Sequence, residues 1–167
     1  MIINKYLEKN YNDIIDLQYI KNIFDYESFR YEENNRVFTI SHNIEKYVNI
    51  IPEQFIKFIN DTNMKIELKE YIKKNNNKII TTYMCTIKEP NNIIEIVKDF
   101  IIKLQIIYTS NTNYEIKLSY KKSDNIIFIL FKNIIDDFIS NKLYNIIKDH
   151  FELKLNNFYS YKKSLII

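Results

Sequence analysis

Residues 126–161 read IIFILFKNIIDDFISNKLYNIIKDHFELKLNNFYSY, and two patterns meet inside this stretch. The opening run, 126–131, is apolar without interruption, the pattern of a short strand buried on both faces. From Asn133 the apolar positions fall at helical spacing. Ile135, Phe138, Ile139, Leu143, Ile146, Ile147, Phe151, Leu155 and Phe158 make one broad stripe. Asn133 is placed to cap this helix, and Asp136 and Asp137 complement its positive end. A helix over 133–160 would be about 40 Å long at 1.5 Å per residue. An apolar stripe of that length needs a whole sheet to lie on, so the preceding chain must supply one.

Upstream the period is two. Tyr114, Ile116, Leu118 and Tyr120 alternate with Glu115, Lys117 and Ser119, the cleanest strand signal in the chain. Met64, Ile66 and Leu68 alternate with Lys65, Glu67 and Lys69. A polar turn at 73–78 and a Thr-, Ile- and Tyr-rich return over 79–87 complete a β-hairpin across 64–88, with Glu67 and Glu70 read as exposed. Residues 93–110 fit both periods: Ile93, Val97, Phe100, Ile101, Leu104 and Tyr108 suit a helix. Phe100, Ile102, Leu104, Ile106 and Tyr108 suit a strand, and β-branched enrichment favours a strand from about 100.

Pro52 can open a short helix near 52–60, because the first turn needs no amide donor there. Phe29 and Tyr31, then Glu33-Asn34-Asn35-Arg36, then the run 37–40 read as a strand or a hairpin with an Asn-Asn turn. Residues 13–25 read as an additional N-terminal helix. The sum is an α+β chain of 167 residues in one domain, with no linker or repeat. Residues 1–27 form a helical extension, 28–161 the core and 162–167 a tail.

Composition narrows the chemistry. The chain has 35 Ile, 23 Asn and 22 Lys, only Arg30 and Arg36 as arginines, and no Gly, Ala or Trp. Such a bias follows AT-rich codons, as in the genome of a large DNA virus or an intracellular parasite. Without glycine, left-handed backbone must fall to Asn or Asp, so the Asn clusters at 34–35, 75–77, 91–92 and 156–157 mark turns. Glycine-dependent phosphate loops of the Walker and dinucleotide types are excluded. The net charge of +3 is too mild to argue for nucleic acid. Lysines at 73–74, 78, 121–122 and 162–163 lie near Tyr71, Tyr120 and Tyr161, but read better as solvated turns. Cys85 stands alone, which points to a reducing, intracellular, cytoplasmic setting, or host cytoplasm for a viral protein. No signal peptide and no membrane span is legible.

The order of elements resembles the START-like superfamily, also called SRPBCC or helix-grip. Residues 37–44, the short helix and the 64–88 hairpin are similar to its opening, and 126–161 to its ending. The resemblance implies a curved antiparallel sheet gripping the long C-terminal helix. It also implies an apolar cavity between them for a lipid or other hydrophobic small molecule. Its lining would come from Ile102, Leu104, Ile116 and Leu118 on the strands, and from Ile135, Phe138, Ile139 and Ile146 on the helix. The same residues can equally fill a core, which would make the chain a protein-interaction or structural factor.

Catalysis finds little purchase. Cys85, His42 and His150 lack metal-ligand spacing, so no metal and no cofactor is expected. Cys85 lies mid-strand, where it reads as a small buried hydrophobe rather than a nucleophile activated by either histidine. The carboxylate pairs Glu32-Glu33 and Asp136-Asp137 read as a turn and a helix end. The expectation is a binding protein, not an enzyme.

Overall fold

A computed structural model of the chain describes residues 16–56, 63–89, 100–109, 114–121 and 126–154. The first helix, α1 (Leu17–Phe24), is capped at both ends by aspartate. Asp16 Oδ1 accepts from the Gln18 amide at 2.8 Å, satisfying one donor of the first turn. Asp25 then takes a left-handed conformation (φ 48°, ψ 48°) and donates its amide to the Lys21 carbonyl, a role glycine usually fills. Tyr19, Ile20 and Ile23 are the buried side of α1.

Strands β1 (Ser28–Glu32) and β2 (Asn35–Asn43) form a tight hairpin. Its central residues, Glu33 (φ 50°) and Asn34 (φ 67°), are both left-handed, so the turn falls one residue earlier than the Asn-Asn pair suggests. A 3-10 turn (Glu45–Ile50) and the one-turn helix α2 (Glu53–Ile56), opened by Pro52, lead to the long hairpin β3 (Asn63–Asn75) and β4 (Lys78–Glu89). Asn76 (φ 52°) turns that hairpin. Among the described residues, three of the four left-handed positions are thus Asn or Asp, as a chain without glycine requires.

Strands β5 (Ile102–Tyr108) and β6 (Tyr114–Tyr120) complete a six-stranded antiparallel sheet in sequential order. Register puts one set of residues on one face. Leu68, Cys85, Ile102 and Tyr120 are successive partners in one row, and Glu70, Tyr83, Leu104 and Leu118 in the next. The opposite face is polar and carries surface ion pairs, Arg30–Glu67 (2.8 Å), Lys69–Glu32 (3.1 Å) and Lys88–Glu67 (3.6 Å). The sheet is not strongly curled. Bulges are what bend sheets, and the described ladder has one register shift, at Lys65/Ile66.

After β6 come a short helix, α3 (Ile126–Leu130), and α4, the C-terminal helix over 132–154. At 1.5 Å per residue α4 is roughly 35 Å long, enough to cross the sheet. It begins as α-helix (Lys132–Asp137), widens to a π turn (Phe138–Leu143) and resumes as α-helix. Two apolar clusters anchor it. Ile135 and Ile139 pack with Phe100, Ile102, Leu118 and Tyr120. Farther along, Tyr144, Ile147 and Phe151 join the main core around Phe38, Leu68, Ile79, Tyr83, Leu104 and Ile106. Its far end also meets α1: His150 Nε2 donates to the Ile23 carbonyl at 2.7 Å, and Asn22 Nδ2 to the Lys154 carbonyl at 3.1 Å. The Ile23 carbonyl is one of the acceptors that the end of α1 leaves without a helical donor.

Three expectations are corrected here. Residues 126–130 are helical rather than a buried strand, and Ile126, Ile129 and Leu130 are exposed. An unbroken apolar run carries no period, so it fits a helix as well as a strand. Asn133 does not cap α4; it lies inside the first turn, behind Phe131, and no side chain caps that end. Glu70 is buried, not exposed, because the alternation that places Leu68 inside places Glu70 there too. The expected extension of the C-terminal helix to 160, the segment 93–99 and the Asn clusters 91–92 and 156–157 lie outside the described residues.

Candidate functional site

The sheet's buried face holds one charged constellation. Arg36 and Glu70 stand on neighbouring strands, and Tyr83 is the register partner of Glu70 on β4. Arg36 Nε donates to Glu70 Oε1 at 2.7 Å, and the Tyr83 hydroxyl donates to Glu70 Oε2 at 2.8 Å. The Arg36 guanidinium also lies over the Phe38 ring, 5.4 Å from its centroid. Burial, then the neighbouring Glu70 charge, pushes the Tyr83 phenol well above its ordinary range, so Tyr83 stays a neutral donor. A second buried bond, Tyr19 Oη to Tyr108 Oη at 2.6 Å, ties α1 to β5. These groups are enclosed by core side chains. Their chemistry is the satisfaction of a buried carboxylate, which registers three strands against one another.

Other candidate reactive groups are engaged elsewhere. The Cys85 thiol is pushed up to about 12 by burial, although part of the residue's surface remains accessible. Its Sγ lies 3.7 Å from the Tyr83 carbonyl. His42 stacks on Tyr47 at 5.6 Å, and His150 serves the Ile23 carbonyl. Asp136 accepts the Tyr120 hydroxyl, and burial followed by that bond raises Tyr120 to about 12. Among the described residues no three His, Cys, Asp or Glu side chains gather as a metal site would need. No helix of these residues is long and apolar enough to cross a membrane.

The eight residues expected to line a sheet–helix cavity are all among the described ones. Ile102, Leu104, Ile116 and Leu118 share the sheet's buried face, as alternation required. Ile135 and Ile139 are buried directly against Ile102 and Leu118, with Phe138 beside them. Leu104 and Ile116 belong to the main core, whereas Ile146 joins neither cluster. At Ile135 and Ile139 helix and sheet are in side-chain contact.

Clefts open to solvent among the described residues. One, about 430 Å³, is lined by Lys103, Gln105, Lys117 and Ser119, which the register places on the sheet's outer face, and by Leu118, Ser140 and Tyr144 on the side of α4. Leu118 is the member of the expected eight that reaches it. Ser140 comes from the π turn of α4, a local widening that often marks functional positions in helices. Lys103 makes no ion pair among the described residues, and Lys117 has a single loose one to Glu115 at 3.9 Å. Another cleft, about 310 Å³, is lined by Ser41, His42, Asn43, Asn63, Met64, Lys65 and Glu89. Several of its polar groups are already used. Ser41 Oγ donates to Glu27, Lys65 pairs with Glu27, and Asn43 Oδ1 accepts the Glu45 amide.

Sequence reasoning missed both the Glu70 constellation and the polar rim of the first cleft. For Glu70 the signal was the continuing alternation Leu68, Glu70, Ile72. For the rim there was none, because the π turn has no sequence signature. In comparison with known proteins, the chain matches no protein-family model, no curated protein and no solved structure.

Proposed function

We propose that this chain is a non-catalytic binding module whose ligand site is the β5–β6–α4 cleft. Its ligand is an amphipathic small molecule with an acidic head, such as a fatty acid or lysolipid. The observation that carries this reading is the composition of the rim: two lysines with weak or no ion pairing among the described residues, the hydroxyls of Ser119 and Ser140, and the apolar surfaces of Leu118 and Tyr144. On the outer face Lys103 and Lys117 would receive the acidic head and Ser119 a hydrogen bond, beside a Gln105 amide already bonded to Thr82 at 3.3 Å, while Leu118 and Tyr144 on the α4 side would meet the apolar chain across the β6 edge. In place of the closed apolar cavity that the START-like resemblance implies, this reading uses an open, mostly apolar cleft with a polar rim. The engagement of His42 in ring stacking, of His150 and Cys85 with backbone carbonyls, and of Glu70 with Arg36 and Tyr83 supports binding over catalysis.

The test is titration of the full chain with a fluorescent long-chain fatty acid, and displacement by an unlabelled one. Saturable binding that weakens about tenfold in Lys103→Ala plus Lys117→Ala is expected, each exposed charge contact being worth up to about 1 kcal/mol. Absence of saturable binding, or equal binding by the double variant, refutes the reading. A second reading, a protein-interaction or structural factor, draws on the packed contact of Ile135 and Ile139 with the sheet. It gains if the fatty acid does not bind and the purified chain retains one defined protein partner through successive columns.

A further inference from the structure

The short helix α3 presents side chains that neither the core nor the cleft uses. Ile126, Ile129 and Leu130 stand at i, i+3 and i+4, hence on one helical face, and they are 68, 64 and 70% exposed. Lys121 before the helix and Lys132 after it are also exposed. Within 121–132 the sequence has three lysines and one acidic residue, Asp124. Large aliphatic side chains clustered on one face and bracketed by lysines combine two recognition elements, apolar insertion and attraction to negative charge.

We propose that this face docks the protein on an anionic lipid bilayer, the three aliphatic side chains entering the acyl boundary and the lysines meeting head-group phosphates. A helix of five residues is far too short to span, so the contact is interfacial. A second copy of the chain fits the face less well. Three side chains offer on the order of 300–400 Å², about half of the roughly 800 Å² that each partner buries in a stable protein pair. Two-fold pairing through this face would also bring like lysines together. A bilayer needs no large complementary area, since small apolar insertions and lysine contacts add. The inference stands on α3 and is independent of the cleft reading.

The experiment is co-sedimentation of the full chain with phosphatidylcholine vesicles, with and without phosphatidylserine, at low and high salt. Binding to the anionic vesicles that falls with salt is expected. The triple change Ile126→Ser, Ile129→Ser, Leu130→Ser should lower the partition coefficient at least tenfold, since each aliphatic group withdrawn from water is worth about that factor at full burial. Lys132→Glu should lower it about fivefold or more. These positions are exposed, and unchanged circular dichroism and melting of the variants would confirm intact folding. The triple variant should keep its affinity for the fluorescent fatty acid, which separates this inference from the cleft. No binding to anionic vesicles, undiminished binding by the triple variant, or a dimer in sedimentation velocity that only the triple variant dissolves would each overturn the inference.

Discussion

Replacing Glu70 by alanine should be among the most damaging single changes in this chain. Its carboxylate is 3% exposed and accepts from Arg36 Nε at 2.7 Å and Tyr83 Oη at 2.8 Å. Alanine would leave a guanidinium, itself 10% exposed, without its carboxylate partner in the core. Breaking a buried pair in this way costs about 3–5 kcal/mol, equivalent to about 10–15 °C in Tm for a domain of this size. Tyr83→Phe removes one bond to the same carboxylate and should cost about 1.5–3 kcal/mol. The double change Arg36→Met with Glu70→Leu removes both charges together and should recover most of the loss. Urea unfolding monitored by circular dichroism reads all three, provided the m-value is unchanged. A Glu70→Ala cost below about 1 kcal/mol would refute the reasoning, because a carboxylate so weakly coupled would have to be solvated.

Four further outcomes follow from other parts of the fold. With its thiol pushed up to about 12, Cys85 should react with iodoacetamide at pH 8 about a thousandfold more slowly in the native than in the urea-unfolded chain. A raised native value favours the fold below the free-thiol range, near 8.5, and that contribution is lost as pH rises toward the native value, so stability should decline through this alkaline window. Glu33, left-handed at φ 50° in the β1–β2 turn, should stabilise the protein when changed to Gly or Asn, by about 0.5–1 kcal/mol in thermal melts. Phe151 is 1% exposed and meets Phe24 edge-on at 5.8 Å, so Phe151→Ala should cost about 3–5 kcal/mol and loosen α4 from α1 in hydrogen exchange.

The parts of the fold that were legible are those in which a period repeats. Tyr114, Ile116, Leu118 and Tyr120 proclaimed their strand, and the stripe from Ile135 to Phe151 its helix, because one-sided burial stamps its spacing on the sequence. Over the described residues 100–109 the competition between periods resolves to the strand set Ile102, Leu104, Ile106 and Tyr108. The run 126–130 carries no period to show which side chains face water, and Ile126, Ile129 and Leu130 are exposed despite being apolar. Glu70 is the converse case: its charge reads as exposed, although its position in the alternation says otherwise. The cleft was beyond sequence reading, since it arises where a π turn in α4 passes β6, a matter of tertiary placement.

The central structural claim is that α4 lies on the inner sheet face with Ile135 and Ile139 in contact with Ile102 and Leu118. A methyl-labelled NOE spectrum of Ile and Leu tests it most directly. Cross-peaks linking the Ile135 and Ile139 methyls to those of Ile102 and Leu118 are expected, and their absence in a folded, well-dispersed spectrum would contradict the packing on which both the fold and the placement of the cleft depend.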